Sequence, residues 1–310
     1  MAGREQRTSE GVAVSARVWL LLGPGLEQDR TKGELSEAFC SAFGSASVVY
    51  SRDLVLGVEG GALTLATVDG RRVVPPAVVY ARLSTPRLST DREVTLLRHL
   101  EAMGSALLNP IESVLSCVNK FWHLQHLVLA GLPVPDTRTY VDAPLAAVIA
   151  ERLPEPCVVK AVRGNRGERV FLAATAEVLR DVHGSLRDDV PVVLQEYVSF
   201  SHGRDLRVVV VDGSVVAALV RTSSDGNMKS NVHQGGSCTP CLGRYPGGEE
   251  LAVRAAQALG LVVAGVDLLF TEDESFTICE VNANVSWREE MSTVAPAIVG
   301  ACQARLTTGH

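Results

Sequence analysis

Apolar residues in this chain follow two periods. Short Val/Leu/Ile-rich runs bounded by Gly, Pro, Asn or Asp read as strands, and stretches with apolar positions three and four apart read as helices. Near the start, Val18–Leu22, Ser47–Tyr50 and Ala77–Ala81 have the first pattern, and segments around Leu35–Phe43 and Arg92–Met103 have the second. Their alternation predicts a small α/β unit with a parallel sheet. The glycine-rich stretch between Tyr50 and Ala77 reads as a connection. Gly23-Pro24-Gly25 lacks a full dinucleotide fingerprint, so it reads as a strand-to-helix turn.

Asn109-Pro110 marks a boundary. A helix then opens at Asn119-Lys120, with Phe121, Leu124, Leu127 and Val128 at helical spacing and Gly131 as its stop. Lys120 stands in the first turn, where free N–H groups and an ammonium together suit an anion; a plain surface lysine is the alternative. Pro156–Lys160 reads as a strand, and a second strand ending at Leu172 follows. The loop between them holds Gly164 and Gly167, at which backbone can approach a phosphate closely. No Gly-Lys-Ser/Thr follows, so this is not a Walker loop, and a flexible hairpin tip explains it equally well.

A helix over Ala176–Leu186 precedes a strand ending in Gln195-Glu196-Tyr197-Val198, a hinge whose edge backbone can pair with a flat heterocycle such as adenine. Asp212-Gly213 predicts a tight hairpin between Gly203 and Arg221. Asp205, Arg207 and Arg221 fall at the outer ends of its apolar strands, where ion pairs capping a sheet edge are as good an account as a binding role. The polar loop Asn227–Gly236 carries Lys229, Ser230, Asn231, His233, Gly235 and Gly236. Cys238-Thr-Pro-Cys241 has zinc-knuckle spacing without a second pair, which argues against a metal there. A helix over Glu249–Leu259 ends at Gly260.

The last hairpin, Val266–Asn284, has apolar ends and a polar turn at Thr271–Ser275. Folding it about that turn sets Asp267 opposite, or nearly opposite, Glu280, and Asn282 shares the face of Glu280. Bare carboxylates facing each other repel by roughly 4 kcal/mol at ~4 Å. Two carboxylates and an amide oxygen inside apolar runs suit Mg²⁺ or Mn²⁺.

Composition narrows the classes. A net charge of −6 without a basic run argues against nucleic acid. No apolar run reaches the ~18 residues of a membrane span, and the polar start reads as a disordered tail rather than a secretory signal. Seven scattered cysteines predict a reducing cytoplasm rather than a disulfide framework. Only Lys32, Lys120, Lys160 and Lys229 among 29 basic residues are lysines, which suggests that a compact ammonium is kept for sites such as phosphates.

Lys120, Lys160 with Gly164 and Gly167, Gln195-Glu-Tyr-Val198, Asp205/Arg207, Lys229-Ser-Asn231 with Gly235-Gly236, and Asp267 with Glu280-Val-Asn282 stand in the order found in ATP-grasp ligases. The set resembles the RimK-like L-glutamate ligases, nearest the branch that makes N-acetylaspartylglutamate and β-citrylglutamate. The resemblance implies an α/β (α+β) ATP-grasp fold. Its parts would be a tail (1–16), a Rossmann-like domain (17–108), a central subdomain with the glycine flap (109–190) and a C-terminal subdomain with the metal site (191–310).

It further implies an ADP-forming acid–amino-acid ligase working through an acyl-phosphate. ATP phosphates would lie near Lys120, Lys160, the flap, Lys229, Ser230 and Asn231. Gln195, Glu196, Tyr197 and Val198 would lie around adenine, and Asp205 near the ribose or triphosphate. Asp267, Glu280 and Asn282 would hold Mg²⁺ or Mn²⁺. Arg207 and Arg221 would act on the acyl-phosphate and substrate carboxylates, with Asn231, His233, Gly235 and Gly236 on the substrate side. Partners would be a small acid or peptide plus an amino acid, with a homo-oligomer allowed. A ligase of peptide natural-product assembly, or an inactive ATP-binding scaffold, is the alternative. Val285-Ser286-Trp287-Arg288 departs from the small or aliphatic residues expected after the metal motif, so Trp287 and Arg288 are candidates for a different pocket.

Overall fold

The computed structural model describes residues 16–24, 30–83, 88, 90–142, 155–164, 170–185, 191–224, 226, 228 and 236–307. The chain divides into two compact units. One comprises Met1–Leu83, Ser89–Leu108 and Cys302–His310; the other comprises Ser84–Leu88 and Asn109–Ala301.

In the first unit, β1 (Val18–Leu22), β2 (Val48–Tyr50), β5 (Val78–Arg82) and β6 (Ala106–Leu107) form a parallel sheet in the order β2-β1-β5-β6. Every residue of β1 is buried, as expected of a parallel strand covered on both faces. The helices are α1 (Arg30–Phe43), which buries Leu35 and Phe39, and α2 (Thr95–Ala102), which buries Leu96, Leu97 and Leu100. The stretch after Tyr50 is not a plain connection. It contains a hairpin, β3 (Leu54–Glu59) and β4 (Ala62–Thr67), turning at Gly60-Gly61. Both glycines have positive φ (59° and 80°), the geometry that a two-residue turn between twisted strands requires.

The second unit carries two antiparallel sheets. β7 (Thr137–Thr139), β8 (Cys157–Ala161), β9 (Val170–Ala173) and β10 (Val192–Glu196) run in the order β7-β10-β8-β9. Helix α5 (Ala176–Ser185) buries Leu179 in a small core with Val159, Ala173 and Leu194. The larger sheet comprises β11 (Arg204–Val211), β12 (Ser214–Thr222), β13 (Ser237–Pro240), β14 (Val263–Phe270) and β15 (Phe276–Asn282), in the order β13-β12-β11-β14-β15.

The alternation of this sheet decides what each face does. Leu206, Val208, Ala264, Val266, Leu268, Ile278 and Val281 join one core with Leu251, Ala252 and Ala255 of α6 (Pro246–Ala258). The residues between them, Asp205, Arg207 and Asp267, therefore project from the opposite face. Helix α6 starts earlier than its apolar pattern suggested, at Pro246, whose fixed φ suits a first helical turn. A Cβ on Gly248 would lie 2.8 Å from Leu206, so glycine allows the helix to sit close against the sheet.

Helices α3 (Ile111–Val118) and α4 (Lys120–Leu129) lead into these sheets. Leu124 and Leu127 of α4 are buried as the spacing predicts, but Val128 is exposed and His123 takes a buried place instead. Helix α7 (Val294–Thr307) follows the larger sheet. Asn109, read from sequence only as a boundary, is a clamp. Its amide nitrogen donates to the carbonyls of Val263 (2.8 Å) and Ala283 (3.1 Å), and its oxygen accepts from the N–H groups of Val262 and Val263. One side chain thus ties the start of β14 to the exit of β15.

Candidate active site

The charged face of the larger sheet carries a row of alternating signs. Asp205 on β11 faces Arg221 on β12, and Arg207 on β11 faces Asp267 on β14, which in turn faces Glu280 on β15. Asp205, Arg207 and Arg221 do not cap the sheet's edge, one of the two accounts their places at strand ends allowed, but lie on the interior strands β11 and β12. Arg221 holds Asp205 through both Nε (2.7 Å) and Nη2, and its Nη2 reaches Asp267 Oδ1 at 2.8 Å. Arg207 Nη1 donates to the same oxygen at 2.8 Å. Burial alone would raise the Asp267 carboxyl, but Arg207 and Arg221 outweigh it and hold the group below the usual carboxylate range. Burial likewise opposes the charge of Arg221, and Asp205 and Asp267 overcome it and raise its pKa.

Repulsion between bare carboxylates is therefore not the state of this site: each acid has its own cation. Arg207 reaches Asp267 because Gly265, two residues earlier on the same face, has no side chain. A Cβ there would lie 2.7 Å from the guanidinium carbon of Arg207. A β-bulge shapes the neighbouring ladder. Leu268 faces Ile278, Asp267 faces Glu280, and Cys279 is the extra residue between them.

Two lysines reach this row from outside the sheet. Asn119 caps α4 by accepting from the N–H groups of Phe121 and Trp122, which fixes Lys120 in the first turn as predicted. Lys120 Nζ donates to the Gly164 carbonyl at 2.9 Å and lies 3.4 Å from Glu280 Oε1. Lys160 Nζ donates to Gln195 Oε1 at 2.6 Å and lies 3.4 Å from Cys279 Sγ. Gln195 is buried and donates onward to Thr137 Oγ1 at 2.9 Å, so its side chain orients Lys160.

Beyond Gln195, Glu196 pairs its backbone N–H with Asp136 O (2.7 Å), and its carboxylate accepts from Asp136 N (3.2 Å). Tyr197 and Val198 are half-buried, and the Tyr197 hydroxyl meets His202 Nδ1. His202 Nε2 lies 2.8 Å from the Gly226 carbonyl, which ties the hinge to the start of the polar loop. Gly236 is half-buried just before β13. Gly167, Lys229, Ser230, Asn231, His233 and Gly235 lie outside the described residues.

Sequence reasoning missed His123. It is 1% exposed, and neither ring nitrogen has a hydrogen-bond partner. Burial pushes the imidazole down to about 4 despite the nearby Glu280 charge, with Lys120 and Lys160 adding to the depression. A polar residue in an otherwise apolar helical register was the only available signal.

Among the described residues no three His, Cys, Asp or Glu side chains come together as a metal cage. Asp267 and Glu280 instead face each other, with the Asn282 amide 3.5 Å from Asp267 Oδ2. Two carboxylates and an amide fit a hard cation that takes its remaining oxygens from phosphates and water. Cys238 and Cys241 do not form such a site. Cys241 is buried in the core, whereas Cys238 faces Arg221 across the β12–β13 ladder, on the charged side.

The structure superposes on the solved complex of the ATP-grasp ligase PsnB with a phosphomimetic variant of its minimal precursor, Mg and ADP. The TM-score is 0.68 at 20% identity, covering 94% of this chain and 100% of that one. The fold is thus that of the ATP-grasp enzymes, α+β proteins with several sheets. A profile for the RimK-like ATP-grasp domain matches residues 117–298. N-acetylaspartylglutamate synthase A of Mus musculus is 40% identical over 279 residues, 88% of this chain and 73% of that protein. Beta-citrylglutamate synthase B of Homo sapiens is 40% identical over 283 residues, covering 89% and 73%. The chain belongs to the RimK-like ATP-grasp family and is an ATP-dependent carboxylate–amine ligase. The family uses ATP and a divalent metal. No helix among the described residues is long and apolar enough to cross a membrane.

Proposed function

We propose that this chain joins a carboxylate of a small acid or peptide to the amino group of L-glutamate or a similar amino acid. The observation that carries the reading is the convergence of Lys120, Lys160, Asp267, Glu280 and Asn282 in one compact unit. The products named for the mouse and human relatives, N-acetylaspartylglutamate and beta-citrylglutamate, support the choice of acid and amine.

Asp267, Glu280 and Asn282 would hold Mg²⁺ or Mn²⁺, which when bound neutralises charge on the triphosphate. Lys120, Lys160, Gly164 and Gly167 bind the phosphates together with Lys229, Ser230 and Asn231. Glu196 and the Tyr197–Val198 backbone hold adenine, Gln195 orients Lys160, and Asp205 keeps Arg221 in place beside the ribose and phosphates. The residues 109–190 and 191–310 act as the two halves of the clasp.

The acid's carboxylate oxygen attacks the γ-phosphorus and ADP leaves, giving an acyl-phosphate. The amine then attacks the acyl carbon, phosphate departs, and the amine gives up its proton as the amide forms. Arg207 and Arg221, pre-set by their aspartates, face the charge that develops on the transferring phosphoryl group. Arg221, Asn231, His233, Gly235 and Gly236 form the substrate side. Free thiols at all seven cysteines suit a reducing cytoplasm. Partners are small molecules or a peptide rather than nucleic acid or membrane, and a homo-oligomer fits the same reading.

The test is ADP release from Mg-ATP with L-glutamate and a panel of N-acetylaspartate, citrate and a glutamate-ended peptide, with products weighed by mass spectrometry. ADP formed only with one acid–amine pair, together with an amide of the matching mass, is the expected result. ADP release that is indifferent to acid and amine, or absent across the panel, would overturn it.

A further inference from the structure

Between the Gln195–Val198 hinge and β11 lies a tight corner whose backbone is fixed from several sides. Ser199–Ser201 make a single helical turn, in which Ser201 N donates to Val198 O (3.1 Å) and His202 N to Ser199 O (3.0 Å). Ser201 is buried; its hydroxyl donates to the Arg204 carbonyl at 2.7 Å and accepts from Phe270 N on β14 at 3.0 Å. The Arg204 guanidinium lies over the rings of Phe200 and Phe270, 5.0 and 4.5 Å from their centroids. The exit of β12 wraps this corner. Ser223 N donates to Gly203 O (2.7 Å), Gly203 N donates to Met228 O (3.3 Å), and His202 Nε2 lies 2.8 Å from Gly226 O. Gly203 stands two residues before Asp205 and Ser223 two after Arg221, so the corner closes the end of the ladder in which those two charges pair.

His202 reaches from this corner in both directions. Its Nδ1 meets the Tyr197 hydroxyl, and the two rings lie edge to face with centroids 6.1 Å apart. A carbonyl only accepts, so Nε2 carries the proton for Gly226, and in the neutral ring Nδ1 is left to accept from Tyr197. Burial raises the pKa of the Tyr197 phenol, which therefore keeps the O–H that this arrangement needs. The imidazole is exposed, and among the described residues its ring makes these two hydrogen bonds. An exposed ring adds little to the core. What it does is join the hinge on one side to the strand exit beyond Arg221 on the other.

We propose that His202 is a positioning residue that carries occupancy of the hinge to the substrate side, so that the acid binds more tightly to the nucleotide-loaded protein than to the empty one. This role rests on the ligase reading, in which the Tyr197–Val198 backbone holds adenine and Arg221 serves the substrate, and it deepens that reading. A bound purine settles the backbone at Tyr197 and with it the phenol. The phenol holds the imidazole, and the imidazole holds Gly226 against the corner that closes the Asp205–Arg221 ladder.

Calorimetric titrations of N-acetylaspartate and of citrate test it, on protein alone and on protein saturated with Mg²⁺ and a non-hydrolysable ATP analogue. In the parent protein the analogue should tighten one of the acids about fivefold or more. His202→Ala should remove most of that gain while binding the analogue itself within about twofold of the parent protein. Tyr197→Phe, which keeps the hinge backbone, should remove the gain as well. His202→Gln, whose amide offers one acceptor and a donor, should restore part of it. A gain absent from the parent protein, a gain kept in His202→Ala, or an equal weakening of the acid with and without the analogue overturns the role of His202. Turnover on the acid–amine panel is read separately. Absence of ADP release counts against the ligase reading, whereas acid-dependent ADP release without the gain counts against His202 alone.

Discussion

Glu280 stands directly across the β14–β15 ladder from Asp267 because Cys279 is an extra residue in β15. Phe270 pairs with Phe276 and Leu268 with Ile278; uninterrupted, that register would bring Cys279 opposite Asp267 and turn Glu280 toward the core. The bulge keeps Ile278 and Val281 in the core and still delivers Glu280 to the charged face.

The two acids should respond differently to neutralisation. Glu280 is partly exposed (27%) and has one lysine at 3.4 Å, so Glu280→Gln should leave the melting temperature nearly unchanged while lowering kcat by ~100-fold or more. Asp267→Asn should abolish turnover and also destabilise the fold by about 3 kcal/mol, because buried Arg207 and half-buried Arg221 lose a shared partner. Paired melting and turnover assays decide; near-normal turnover in Glu280→Gln would remove it from the metal set.

Lys160→Ala should weaken binding of an ATP analogue about tenfold or more, the loss expected if the proposed charge-assisted contact to phosphate is removed. Unchanged affinity by calorimetry would leave Lys160 as no more than the structural partner of Gln195.

Gly265→Ala should push the Arg207 guanidinium off Asp267, because the added methyl meets it at 2.7 Å from the central carbon. A loss of ~1–3 kcal/mol in unfolding free energy is expected, together with reduced turnover. Full activity and stability would mean that Arg207 can settle elsewhere without consequence.

Asn109→Ala removes four hydrogen bonds and strands the polar backbone groups of Val262, Val263 and Ala283. Chemical denaturation should register a loss of ~2–4 kcal/mol. A change below ~0.5 kcal/mol would show that water replaces the amide there.

Burial sets a pH dependence through His123, whose imidazole falls from 6.5 to about 4. A group whose folded pKa lies below its unfolded one stabilises the fold fully above 6.5 and loses that contribution as pH falls toward 4. Urea unfolding at pH 7 and pH 5 should show a decline of about 2 kcal/mol that His123→Leu largely removes. An identical decline in the variant would assign it to other groups.

The sequence made the chemistry of the site more legible than its charge balance. Period-2 alternation put Glu280 and Asn282 on one face, while Asp267 was set opposite or nearly opposite Glu280 and its facing position depends on the bulge at Cys279; the glycine stop at Gly131 with the Asn119 start fixed Lys120 in a first turn. Both are local rules that need only neighbouring residues. Partners brought together over long separations were not readable: Arg207 with Asp267, Lys160 with Gln195, and Asn109 with two distant strands. The missed hairpin at Gly60-Gly61 is another matter, since its turn signal was present and only the glycine-rich composition disguised the flanking alternation.

Lys120 spans the base of the glycine loop and the end of the acidic hairpin, donating to the Gly164 carbonyl while facing Glu280. A single ammonium cannot give up one of these neighbours without changing its hold on the other. Whatever draws Glu280 away loosens or redirects the strap on the loop, and whatever reshapes the loop alters the acid's company. Linkage then requires the effect to be mutual: if an occupied loop strengthens cation binding at Glu280 by some factor, the cation strengthens loop occupancy by the same factor. The coupling would thus favour neither order of loading and would reside in one side chain rather than in a moving domain.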